Sequence, residues 1–219
     1  MENQKNKPKV FVAILNMGSV CAGLESSVFK WMVEKGDKYQ FTFHLRKKVP
    51  TSSNRNDITR DFLKSGCDYL AMFDEDTYPL DNPFDILDHD KDVCGCVYPG
   101  MGESGIRLHV YRRLDDGTYG QYPPKERSGL MEVDAIGTGA IFIKRKVLEK
   151  IKKPFDYTFD KDGVTFMSDD IAFCKRAKDK GFKIWADWDK AASHYKVVDL
   201  LQVSNLIAEA AMEKKIILK

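Results

Sequence analysis

Leu70-Ala71-Met72-Phe73 runs straight into Asp74-Glu75-Asp76, and the stretch is closed by Pro79. A short unbroken apolar run bounded by turn residues reads as a strand buried on both faces, which requires a sheet covered on both sides. Acids at the carboxyl end of such a strand occupy the crevice where open α/β sheets take their ligands. Three adjacent carboxylates repel one another, so a fold keeps them together most readily around a cation. Hard divalent cations that carry substrate phosphates are held by one or two carboxylates rather than by a complete protein cage. The stretch therefore predicts a metal-diphosphate site. Its structural alternative is a set of exposed acids in a turn ahead of a helix.

The flanking sequence supplies the rest of such a sheet. Residues 10–15 form a first apolar strand ending in the turn Asn16-Met17-Gly18. Residues 24–33 read as a helix with Leu24, Val28, Phe29, Met32 and Val33 on one face and Gly36 past its end. Residues 39–45 alternate aromatic and polar side chains with period two, and residues 50–54 are a polar linker. A helix from about 55 to 64 stops at Gly66, and residues 69–73 deliver the acids. This alternation predicts an α/β fold with a Rossmann-like wound, mostly parallel sheet flanked by helices.

Beyond the acids, residues 92–98 read as a strand, and residues 107–113 and 119–122 flank Asp115-Asp116-Gly117-Thr118 in a small antiparallel hairpin. Residues 132–136 lead into Gly137-Thr138-Gly139, then an apolar strand at 140–143 and a basic helix at 145–151. Ser168-Asp169-Asp170 opens a helix, residues 183–187 make a last strand, and His194 comes after it in a loop. One domain over residues 1–219 is expected, with a flexible stretch at 1–9 and a C-terminal helix within 197–219.

Composition removes several classes of function. Positive and negative charges nearly cancel, at a formal net of +2, and the basic residues are dispersed, so no nucleic-acid partner is advertised. The apolar run at 10–15 is too short for a signal segment, and no run reaches the length of a membrane span. Five cysteines without paired metal-ligand spacing fit reduced thiols in a cytoplasmic protein. Ile216-Ile217-Leu218, at the end of the terminal helix, offers apolar surface to a membrane or to a second copy in a homo-oligomer.

Three further groups carry chemistry. Ser168 is a favoured N-cap and acids suit a first helical turn, yet a carboxylate there is also aimed from a rigid element and can act as a general base. His194 is either a surface histidine or a neutral imidazole completing a metal site begun by Asp74 and Asp76, whereas His44, His89 and His109 read as structural. Gly137-Thr138-Gly139 is either a tight turn needing positive φ or a place where backbone approaches a ligand. Dinucleotide-fingerprint, P-loop and nucleophile-elbow patterns are missing.

In this order, the pieces resemble a GT-A glycosyltransferase, specifically the large inverting family 2 type. Arg55-Asn56 with Asp57 resembles the basic-Asn segment ahead of the metal strand, and Asp74-Glu75-Asp76 resembles the D-x-D motif. Gly137-Thr138-Gly139-Ala140 resembles the stretch near donor sugar and acceptor, and Asp169-Asp170 the acidic helix start that carries the base. The resemblance implies transfer of a sugar from a nucleotide diphosphate sugar of UDP or GDP type to an acceptor hydroxyl, with inversion. It also implies Mn²⁺ or Mg²⁺ held by Asp74, Asp76 and His194, with Asp170 as base and Asp169 in reserve. Asn16, Arg55, Asn56, Arg60, Asp74, Glu75, Gly137, Thr138 and Gly139 are the expected donor contacts. Two positions depart from the pattern. The second strand ends in Leu45-Arg46-Lys47-Lys48 where the family has base-reading acids, and the catalytic pair is Asp-Asp rather than Glu-Asp. The alternatives are a nucleotidyltransferase and a non-catalytic nucleotide- or carbohydrate-binding module.

Overall fold

The computed structural model describes residues 7–16, 18, 20–47, 50–102, 105–197 and 199–212. In chain order its elements are β1 (Lys9–Asn16), α1 (Leu24–Glu34), β2 (Gln40–Lys47), α2 (Thr51–Ser65), β3 (Tyr69–Asp74) and β4 (Thr77–Pro79). A 3₁₀ segment (Pro83–His89) leads to β5 (Val93–Val97), β6 (Pro99–Gly102), β7 (Gly105–Leu108), β8 (Val110–Arg113) and β9 (Tyr119–Gln121). After these come β10 (Leu130–Val133), β11 (Ala135–Ile136), β12 (Ala140–Lys144), α3 (Arg145–Leu148), β13 (Thr158–Phe159) and β14 (Thr165–Met167). The last elements are α4 (Asp169–Asp179), β15 (Ile184–His194) and α5 (Leu200–Met212).

The central sheet runs β10-β15-β5-β12-β3-β1-β2, with β4 added onto the far end of β15. Strands β2, β1, β3, β5 and β15 point the same way, and β12 and β10 run against them. The expected α/β class with a mostly parallel sheet and small antiparallel additions is what is observed. Period-two alternation along β1 splits the core cleanly. Phe11, Ala13 and Leu15 pack with Ile58 and Phe62 of α2 and Phe173 and Ala177 of α4 on one face. Val10, Val12 and Ile14 pack with Leu24, Val28 and Trp31 of α1 and Phe84 on the other. Among the described residues no helix is long and apolar enough to cross a membrane.

Several local expectations shift. The buried face of α1 is Leu24, Val28 and Trp31, while Phe29 and Val33 are exposed, because the i, i+4, i+7 stripe selects Trp31 for the core. Residues 50–54 are no linker: Pro50 occupies the N-cap position of α2, where its fixed φ suits helix entry. Residues 107–113 are divided at His109 between β7 and β8, which pair into different sheets. The basic helix is only Arg145–Leu148. Lys9 already belongs to β1, so that part of the expected flexible 1–9 is sheet; residues 1–6 lie outside the described residues, as does Ile216-Ile217-Leu218. The most consequential shift is in the last strand. It continues past a bulge between Asp187 and Ala191 and ends at His194, so that histidine is on a strand rather than in a loop.

Candidate active site

The carboxyl ends of β1 and β3, the N-terminus of α4 and the end of β15 enclose a cleft of about 350 Å³. Five acids line it, Asp74, Glu75, Asp76, Asp169 and Asp170, against two permanent cations, Arg55 and Lys196. Such a cleft repels a diphosphate unless further positive charge enters with it.

Register explains how distant residues meet here. Antiparallel pairing of β12 with β3 sets Ala140 opposite Phe73, so the Gly139 carbonyl accepts a 2.8 Å bond from the Asp74 amide. Pairing of β15 with β4 sets His194 opposite Thr77, and the Tyr195 amide donates to the Asp76 carbonyl at 2.8 Å. His194 Nε2 then stands 3.4 Å from Asp76 Oδ2, and Lys196 is ion-paired with the same oxygen. Burial alone would raise the Asp76 carboxyl, but His194 and Lys196 hold it down at about 2. His194 Nδ1 lies 2.8 Å from the Pro99 carbonyl. A neutral imidazole that donates from Nδ1 there would keep its Nε2 lone pair for a metal, the usual orientation of a metal-binding histidine.

Asp74 is paired within the protein. Arg55 donates to both its oxygens through Nη2, at 2.9 and 2.7 Å, and through Nη1 to Asp169 at 2.5 Å. Burial alone would lower the Arg55 guanidinium, but Asp74, Asp169 and Asp170 raise it. Burial raises the Asp74 carboxyl, and Arg55 offsets part of that rise. Asp74 and Asp169 are therefore the two arms of a buried ion-pair triad. Among the described residues no three His, Cys, Asp or Glu side chains converge as a metal cage. The carboxylate–imidazole pair of the cleft is Asp76 with His194, whose present counter-charge is Lys196. One carboxylate and one imidazole suit a small divalent cation that keeps its remaining positions for a ligand, and Mn²⁺ accepts both donor types. The residues fit the group.

Asp170 lines the same cleft from the first turn of α4. Ser168 sits at the N-cap position but makes no side-chain capping bond. Its hydroxyl donates instead to Asp170 Oδ1, which also accepts from the Ile171 amide at 2.8 Å. The carboxylate is thus held at one oxygen by its own helix start.

Residues 137–139 also resolve. Neither glycine has positive φ, and the close approach is to a side chain of the protein. A Cβ on Gly139 would lie 2.6 Å from Thr77 Oγ1 and 2.8 Å from the Tyr98 ring, and one on Gly137 would overlap the Tyr98 hydroxyl. That hydroxyl accepts from the Gly139 amide at 2.9 Å, so Tyr98 is built into the cleft floor. Gly137→Ala should destabilise the fold by about 1–3 kcal/mol in urea unfolding. A loss below about 0.5 kcal/mol would mean that Tyr98 can leave its seat. Between the glycines, Thr138 is 1% exposed and lines the cleft, and its Oγ1 has no hydrogen-bond partner. A buried hydroxyl at a cleft wall takes its partner from outside the chain, from water or a ligand.

Other expected contacts sit elsewhere. One residue of α2 turns about 100° from the next, so Thr51 and Arg55 face the cleft while Asn56 and Arg60 do not. Asn56 instead clamps the loop after α3, donating to Asp156 at 2.8 Å and accepting from the Phe155 amide at 3.1 Å. Arg60 pairs with Asp57 at 2.9 Å, and both border a separate groove. Asn16 Oδ1 and Glu75 Oε2 both accept from the Gly18 amide, at 2.8 and 3.1 Å, closing the turn after β1 at the cleft rim. Six lining residues lie outside the expected set: Leu15, Thr51, Tyr98, His109, Tyr157 and Lys196. His109 stacks on Tyr98 with ring centroids 4.9 Å apart, and burial lowers its imidazole pKa. Of these lining residues, Lys196 has a signal in the sequence, as a cation two residues beyond the candidate ligand His194.

No family model and no curated protein matches the chain. Among solved structures it is similar to A197 from STIV, with a TM-score of 0.58 and 24% identity over 86% of each chain. It is also similar to GalNAc-T7, crystallised with UDP, GalNAc and Mn²⁺, with a TM-score of 0.55 and 12% identity over 88% of this chain. This chain covers 45% of that GalNAc-T7 chain. Sheet order and these likenesses define a GT-A-like fold.

Proposed function

We propose that this chain transfers a sugar from a nucleoside diphosphate sugar to an acceptor hydroxyl, with inversion. The observation that carries the proposal is the pairing, in one acid-rich cleft, of Asp76 and His194 on one side with a separately held Asp170 on the other. The fold supports it, since GalNAc-T7 holds UDP, GalNAc and Mn²⁺ in a structure of this kind.

Asp76 and His194 would hold Mn²⁺ or Mg²⁺, which when bound supplies the positive charge that offsets a departing diphosphate. Thr138 would give its unpartnered hydroxyl to the donor, and Arg55 would keep Asp74 and Asp169 neutralised beneath it. Asp170 would take the proton of the acceptor hydroxyl as that oxygen attacks the anomeric carbon from the face opposite the leaving group. Ser168 and Ile171, the neighbours of Asp170, line a groove of about 620 Å³ with Tyr119 and Phe166, which would seat the acceptor. Ring faces there suit stacking on a sugar or another apolar plane.

Asp170→Asn tests the base. The amide oxygen can keep the bonds from Ser168 and the Ile171 amide, so the helix start should persist. Transfer should fall by about 10²–10⁴-fold while donor affinity, measured by calorimetry, stays within a few fold. If affinity falls as far as turnover, Asp170 binds donor rather than serving as base.

A further inference from the structure

A cation of the protein's own already occupies the carboxylate that the proposed metal needs. Lys196 Nζ and His194 Nε2 both approach Asp76 Oδ2. The ammonium and the imidazole thus converge on one carboxylate oxygen, in a side chain that is 30% exposed. A partly buried carboxylate needs positive charge beside it. Lys196 supplies it. Arg55 cannot, being 7% exposed and bonded to both Asp74 and Asp169. Lys196 is also the side chain with room to move: it is 47% exposed and lies beyond the end of β15, in a segment without regular structure. Its ammonium shares the cleft with the orphaned hydroxyl of Thr138, which marks where a ligand is expected.

We propose that Lys196 is a placeholder cation. It neutralises Asp76 in the metal-free protein, yields that oxygen to a divalent cation, and then turns its ammonium to the diphosphate of the incoming donor. This inference rests on the assignment of Asp76 and His194 as the metal donors. A flexible four-carbon stem with a compact charge suits such an exchange better than a rigid guanidinium. Metal and lysine compete for one carboxylate, so metal alone binds weakly. Diphosphate draws the lysine away, so metal and nucleotide strengthen each other's binding reciprocally.

The test is Mn²⁺ binding to the full chain, monitored by electron paramagnetic resonance, with and without UDP or GDP and with no turnover required. Lys196→Met should tighten binding of Mn²⁺ alone by about tenfold or more, and should weaken nucleotide binding at saturating Mn²⁺ by about tenfold. The strengthening of Mn²⁺ binding by nucleotide should shrink accordingly. Lys196→Arg, which keeps the charge, should bind Mn²⁺ within a few fold of the wild type. If Lys196→Met binds Mn²⁺ no better than wild type while Asp76→Ala loses it, the placeholder is overturned and the metal site stands. If the wild-type chain binds no Mn²⁺ even with nucleotide present, both are overturned.

Discussion

Asp76→Ala should lower metal-dependent release of nucleoside diphosphate from a donor sugar by at least about 10²–10³-fold, the scale on which removing one charge-stabilising group acts. The reason is local. Asp76 is the only cleft carboxylate, among the described residues, that faces both a histidine Nε2 and a lysine ammonium. Each other acid has a different surrounding: Asp74 and Asp169 share Arg55, Glu75 accepts from the Gly18 amide, and Asp170 is held at the start of α4. The same substitution should leave the fold intact, since Asp76 lies at a strand junction whose backbone bond to Tyr195 survives it. Asp76→Asn, which retains the shape and removes the charge, should fall nearly as far. Asp74→Asn should leave Mn²⁺ affinity within a few fold. Undiminished turnover in Asp76→Ala, or in wild-type protein treated with EDTA, would remove the metal from the proposal.

Arg55→Ala should produce the largest loss of stability of any single change at the site, about 3–5 kcal/mol in urea unfolding. Its guanidinium is buried, and three of its hydrogen bonds go to two carboxylates. Deleting it leaves Asp74 and Asp169 close together without a counter-charge, and burial already raises the Asp74 carboxyl. Adding Asp169→Asn to Arg55→Ala should recover part of the loss, because one of the two stranded charges disappears with it. The non-additivity is the informative quantity. A cost below about 1 kcal/mol for Arg55→Ala would show that the guanidinium does not neutralise these acids. Asp74 would then return as a metal donor.

Both expectations depend on contacts that divide into those legible in the chain and those that are not. Residues 10–73 are legible because each buried element is short, contiguous and bounded by its own stop signals, so β1, α1, β2, α2 and β3 come from local periodicity. The strand-end acids are legible for the same reason. The partition of those acids is not. Arg55 and Asp169 are separated by 114 positions, and nothing local to either announces the other. Arg55, Asn56 and Arg60 are neighbours in sequence, yet helical rotation sends only the first into the cleft. The long final strand reads too short in sequence because Asp187, Asp189 and Lys190 interrupt its apolar pattern at the bulge. That hides the pairing with β4 that brings His194 and Lys196 to Asp76.

By itself, then, the sequence determined an α/β sheet with an acidic crevice beyond one strand, since apolar periodicity and adjacent like charges are local properties of a chain. Tertiary structure decided which acid is held by which cation. Carboxylates of the same type differ only in what stands beside them. Arg55 claims Asp74 and Asp169, while Lys196 and His194 leave Asp76 as the position where a cation can be exchanged.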